Sequence, residues 1–135
     1  TRTNPSGQKT KILLSDGSTI YLNSASTVTY PEDFQTNRKV TLEGEAFFEV
    51  AKDPDHPFSV ESKGITTTAL GTSFNISTFN RQDKVAVTLV TGKVKLQQLG
   101  NAKELELNPG EESLLAVDES NPTKYRVNIR DRILW

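Results

Sequence analysis

Glu43, Glu45 and Glu49 crowd into the run LEGEAFFEVAKD. Two carboxylates across a cleft are what glycoside hydrolysis requires, one to protonate the leaving oxygen and one to attack or to activate water. The same glutamates suit the water-facing side of an antiparallel strand, and that bland reading is preferred. His56, in DPDHPF, is the sole imidazole. A serine–histidine mechanism therefore has one candidate base, and histidine-rich metal ligation lacks the copies it needs. His56 reads as a surface-loop residue. Asp53 and Asp55 offer oxygen ligands for calcium, without the spacing of an EF-hand loop. Tyr21, Tyr30, Phe34, Phe47, Phe79 and Trp135 could stack on sugar rings, yet they form no cluster in sequence and several suit a core. The last candidate is ALGTSFNIS, Ala69–Ser77, where Gly71 interrupts a strand-like pattern and Thr72 places a hydroxyl beside it. Glycine inside a strand marks a bend, a bulge or a close backbone approach.

The elements that must position these residues are short strands. Period-two alternation between turn signals predicts strands over Lys9–Leu14, Ser18–Leu22, Thr27–Tyr30, Arg38–Leu42, Ala46–Val50, Phe58–Glu61 and Ile65–Leu70. More are predicted over Thr72–Ser77, Lys84–Val90, Lys93–Gln97, Glu104–Leu107, Glu112–Val117 and Lys124–Ile129. Such spacing marks an all-β sandwich or barrel, with a β-helix as the alternative. Pro109-Gly110 fits the centre of a type II turn. Ile12, Leu14, Ile20, Leu22, Val40, Leu42, Val85, Val87, Leu89, Leu105 and Leu107 should point inward, and Val127 and Ile129 repeat the pattern. In LEGEAFFEVAKD, Gly44, Ala46, Phe48 and Val50 read as core, while Glu43, Glu45, Phe47 and Glu49 share the opposite face. The piece YPEDFQTNR can form one short helical turn, and no segment shows a capped helical stripe.

Composition narrows the classes. A chain of 135 residues is about one domain, large enough to bury roughly two-thirds of its unfolded surface. Its formal charge of -1 comes from 16 basic and 17 acidic residues without a basic stripe, which argues against nucleic-acid binding. The absence of cysteine excludes a disulfide framework, a thiolate metal site and a cysteine nucleophile. No cofactor-binding or phosphate-cradling motif is present. Both ends read as boundaries within a longer chain, TRTNPSGQKT at one and RILW at the other.

LSDGSTIYLNSASTVTYPEDF, RKVTLEGEAFFEVAKDPDHPFSVES, ALGTSFNIS, VAVTLVTGKVKL and LNPGEESLL, in that order, resemble the FecR-type domain. The likeness runs from Lys11 to about Val117, and the spelling GEAFFEVAKD is similar to members from Bacteroidetes. It implies an antiparallel sandwich of jelly-roll type over residues 1–120, with 121–135 a terminal strand or linker toward a transducer-like domain. It also implies a non-enzymatic regulator: the periplasmic part of an anti-sigma factor anchored in the inner membrane by an upstream helix. Its partners would be an extracytoplasmic-function sigma factor and a TonB-dependent outer-membrane transducer. Binding by strand addition to a sheet edge is the mode expected of this fold. Some members resembling this chain cleave themselves between the glycine and threonine of LGT, here Gly71 and Thr72. In that chemistry Thr72 Oγ attacks the Gly71 carbonyl carbon and the amide becomes an ester, which water opens. A bend wanting glycine, followed by a threonine suited to a strand, explains the pair equally well. A carbohydrate-binding sandwich remains the alternative function.

Overall fold

The computed structural model describes residues 2–3, 9–32, 37–53, 55–79, 84–98, 104–116 and 124–133. Among these residues, twelve strands form one curled sheet. In chain order they are β1 (Arg2–Thr3), β2 (Thr10–Leu13), β3 (Thr19–Leu22), β4 (Thr27–Thr29), β5 (Lys39–Glu43) and β6 (Glu45–Glu49). Then come β7 (Phe58–Ser62), β8 (Ile65–Phe79), β9 (Lys84–Gln98), β10 (Glu104–Leu107), β11 (Glu111–Ala116) and β12 (Lys124–Arg126). One short helix, α1 (Ile129–Ile133), follows. The chain is all-β as expected. Antiparallel pairing also holds, except that β5 and β7 run parallel. Antiparallel neighbours drawn from distant parts of the chain do not fit the stacked parallel coils of a β-helix.

β8 and β9 organise everything else. Each is 15 residues long, where the sequence pattern predicts two short strands in each place. The first part of β8 pairs with β7 and with the end of β9, while its second part pairs with β6 and with the start of β9. One half of the sheet is therefore β1, β4, β5, β7 and β10 around those ends. The other half is β2, β3, β6, β11 and β12. Both halves turn their apolar positions into a single hydrophobic cluster. Phe48 of β6 stacks on Phe74 of β8 at 5.0 Å and meets the edge of Phe58 from β7 at 6.1 Å. The sheet is thus folded over on one core, and each fully buried side chain of this size contributes roughly 1.5–3 kcal/mol.

Period-two reading placed most of this core. Ile12, Leu14, Ile20, Leu22, Val40, Leu42, Val85, Val87, Leu89 and Leu107 are buried, and Leu105 packs against the cluster half-buried. Ala46, Phe48 and Val50 are buried too. Asn108 to Glu111 make the expected turn, closed by a hydrogen bond from Glu111 N to Asn108 O, with Gly110 at φ +89°. Two expectations change. Lys124–Ile129 is not one strand, because β12 stops at Arg126 and Asn128 caps the start of α1 by accepting the Arg130 N–H. Five helical residues are too few to show a stripe in sequence. Glu43 is separated from Glu45 and Glu49, since the chain passes at Gly44 from β5 in one half to β6 in the other. The proposed turn in YPEDFQTNR lies partly outside the described residues.

A buried ion pair ties the loops together at one end of the fold. The Arg38 side chain is fully buried and donates through Nη1 to Asp16 Oδ2 at 2.8 Å. It also donates to the carbonyls of Ala51 at 2.7 Å and His56 at 2.6 Å, and its guanidinium lies over the Phe58 ring. Asp16 in turn accepts from Ser18 N and Oγ. One charge therefore fastens the β2–β3 turn, the start of β5 and the loop before β7. Removing one partner of a buried pair leaves the other uncompensated, which costs about 3–5 kcal/mol. Arg38→Ala should lower unfolding stability by that order in urea titration. Arg38→Lys should recover little of it, because an ammonium cannot reproduce the forked set of donors.

Candidate functional site

Gly71 and Thr72 lie at the corner where both long strands change face. On β8 the buried positions that alternate toward the core are Ile65, Thr67 and Ala69 before the corner, then Thr72, Phe74, Ile76 and Thr78 after it. On β9 they are Val85, Val87 and Leu89, then Val94 and Leu96. The inward phase shifts by one residue in each strand, through irregular pairing between Leu70 and Phe74. A bulge does this by inserting an unpaired residue and bending the ladder. Gly71 takes φ +54° and Gly92 takes φ +82°, both left-handed. A Cβ at Gly92 would stand 2.5 Å from Thr72 Cγ2 and 3.0 Å from the Gly71 carbonyl oxygen. The two strands can cross here only without that atom.

The Gly71–Thr72 bond borders a shallow cavity of about 380 Å³ lined in part by Glu49, Lys52 and Thr91. Gly71 is exposed and Thr72 is 2 % exposed. Thr72 O accepts a hydrogen bond from Val50 N at 2.8 Å, which fixes the peptide against the end of β6. Thr72 Oγ1 is buried and has no hydrogen-bond partner among the described residues. A threonine hydroxyl without a base to take its proton is a weak nucleophile. What the corner supplies is a left-handed Gly71, a conformation that stores strain mainly for residues with a side chain.

A second feature lies on the outer face of β2, β3 and β6. Cross-strand register places Lys11 opposite Tyr21, and Tyr21 opposite Phe47. The two rings are 6.0 Å apart and tilted, and Lys11 Nζ sits 5.7 Å from the Tyr21 centroid. With Lys9, Glu49 and Ile133 of α1 they line a groove of about 390 Å³. A hydrogen bond from the Tyr21 phenol to the Glu49 carboxylate holds the phenol above its ordinary pKa, helped by partial desolvation. The same row continues through Asn75, Thr88 and Glu112 to Tyr125. Glu112 is buried there and accepts from Thr88 Oγ1 and from Tyr125 OH.

The other candidates disperse. Glu45 accepts from Asn23 and Asn75. Glu49 lies four residues along the same strand, roughly 13 Å away at strand rise, wider than glycosidase carboxylates stand. His56 Nδ1 meets Asp53 Oδ2 at 2.9 Å, and this contact draws the Asp53 carboxyl below its ordinary value. That contribution to stability is present above the ordinary carboxylate pKa and is lost as pH falls through the lowered one. Among the described residues, no group of three acidic, histidine or cysteine side chains could hold a metal. Of the six aromatics, the structure brings together Tyr21 and Phe47 and sets Tyr30 against the core. Phe34 and Trp135, and the Phe79 side chain, lie outside the described residues. The pairing of Tyr21 with Phe47 was missed in sequence, although their outward parity was a usable signal. Arg38 gave no signal at all.

The phenol offers a direct check on this geometry. In difference titrations against Tyr21→Phe, followed by phenolate absorbance, Tyr21 should ionise above the ordinary tyrosine value. Glu49→Gln should bring it down. Because the folded pKa is raised, the stabilisation is complete below the ordinary phenol value and disappears as pH rises through the folded one.

With the geometry in place, comparison with known proteins supplies the family. The family model described as FecR protein matches residues 1–95. Two crystal structures of a candidate anti-sigma factor from Parabacteroides distasonis ATCC 8503 share the fold, each with TM-score 0.89 and 28% identity over 99% of this chain. This chain spans 62% and 63% of the length of those two chains. No curated protein matches it. A family model that covers most of the chain, together with that likeness, places the chain in the FecR protein family.

Proposed function

We propose that this chain is the signalling domain of an anti-sigma factor. In the longer protein it lies in the periplasm, held by an upstream membrane helix, with residues 121–135 leading into a further domain. It relays the state of a TonB-dependent outer-membrane transducer to an extracytoplasmic-function sigma factor bound at the cytoplasmic end. The observation that carries this reading is the FecR family match over residues 1–95, with structural likeness to a candidate anti-sigma factor over nearly the whole chain. The dispersal of the carboxylates agrees with a role in contacts and not in turnover. Among the described residues no helix is long and apolar enough to cross a membrane.

Deleting residues 1–135 from the longer protein in its own cells should uncouple a set of transcripts from the extracellular signal, leaving them fixed on or off. Unchanged, signal-dependent transcripts would overturn the reading. Saturable binding of an oligosaccharide by the isolated chain would favour a carbohydrate-binding module instead.

For Gly71 and Thr72 we propose the structural role, a corner that needs glycine and a buried threonine methyl against Gly92. The purified chain should then keep one intact mass through long incubation, as should Thr72→Ala. Two fragments meeting at Gly71–Thr72 in the parent, and none in the variant, would establish self-cleavage in its place.

A further inference from the structure

Among the described residues β2 pairs with β3 alone, so its far side is an edge of the sheet. Leu14 N bonds to Ser18 O at 2.9 Å, which makes Leu14 a hydrogen-bonded position of the ladder. Such positions alternate along antiparallel strands. Ile12 therefore also bonds to β3, while the N–H and C=O groups of Lys11 and Leu13 point toward the open edge. The parity of β3 agrees, because Asn23 N bonds to Glu45 O and so Thr19 and Tyr21 turn to β6. The side chains of Lys11 and Leu13 share the outer face, and Leu13 is 75 % exposed. We propose that this edge docks an extended segment of a partner protein, added antiparallel to β2. The segment carries an apolar residue opposite Leu13 and an acidic residue opposite Lys11.

Main-chain groups on a sheet edge recruit another strand, and proteins guard such edges by shortening, bending or covering them. The other edges here are guarded. β1 has two residues and β12 three, and at β10 the Glu106 carbonyl accepts from Lys124 Nζ at 3.0 Å. β2 instead shows an exposed leucine, which a guarded edge avoids. Lys11 sets the charge of the partner. Its ammonium lies 5.7 Å from the Tyr21 centroid and has no acidic partner among the described residues. Lys9, also exposed, stands two residues earlier, so this end of the edge is basic. Opposite charges directly across a ladder attract, and like charges repel. A second copy of the chain fits less well. Two-fold pairing centred on Ile12 sets each Lys11 against Leu13, and pairing centred on Lys11 sets lysine against lysine. This docking edge is independent of the signalling role, since it takes such a strand whatever the chain regulates.

The probe is a synthetic peptide in which threonine alternates with valine, isoleucine, glutamate and glutamate, in that order. When it binds the purified chain, the Lys11 and Leu13 amides should gain severalfold protection from hydrogen exchange. Ile12, already bonded to β3, should change little. Binding should weaken as salt rises. Lys11→Glu should weaken it severalfold and turn the preference to a peptide with lysine in place of glutamate. Leu13→Pro, which removes an edge-facing N–H, should abolish it. Circular dichroism shows whether that variant folds, and Lys11→Glu tests the edge even if it does not. Absence of binding would overturn the proposal, as would binding indifferent to Lys11→Glu. Lys11 and Leu13 amides already protected in the free chain would overturn it too. Protection that grows with the concentration of the chain alone would assign the edge to a second copy and overturn it equally.

Discussion

Two neighbouring strands that change their inward face must do so at the same place, and that constraint governs this domain. β8 and β9 each give one face to the core in their first part and the other face in their second. A phase change in one strand alone would push every residue beyond it into water or into the core wrongly. The change is matched across the ladder by the irregular pairing around Gly71, Thr72 and Gly92. Two glycines in left-handed conformation permit it, and the Thr72 methyl fills the space that a Cβ at Gly92 would need. From this corner follow the folded-over sheet, the single core and the division of the remaining strands between two halves.

The end of the fold held by Arg38 obeys a different logic. Loops that connect strands of different halves cannot satisfy their backbone within a ladder, and unpaired buried carbonyls are costly. Arg38 meets that need for Ala51 and His56, while Asp16 balances its charge. Replacing such a pair by apolar residues can be neutral, so its presence does not itself argue for stability. Its role here is positional: it holds the loop that carries His56 and Asp53 against the start of β5.

Much of the fold was legible because inward positions repeat every two residues, and Ile20, Leu22, Val85, Val87 and Leu89 obey that rule. What stayed hidden depended on partners distant in sequence. Gly71 and Gly92 look like strand ends, and only the opposing strand shows that the ladder continues past them. Arg38 looks like any charge at a strand start, since its partner Asp16 is 22 residues away. Tyr21 and Phe47 were recognisable as outward, but their contact is set by the register of β3 on β6. The glutamate face failed at Gly44, where an alternation that looks unbroken in sequence is cut by a passage between halves. The family was legible from motif order, a signal of kinship more than of physics.

The parallel pairing of β5 with β7 has a kinetic consequence. Between these two strands the chain leaves for the other half, builds β6 there, and returns. Neither half is thus a contiguous piece of polypeptide, and neither can close before the other has begun to form. Such lacing raises contact order, slows folding and favours a single all-or-none transition.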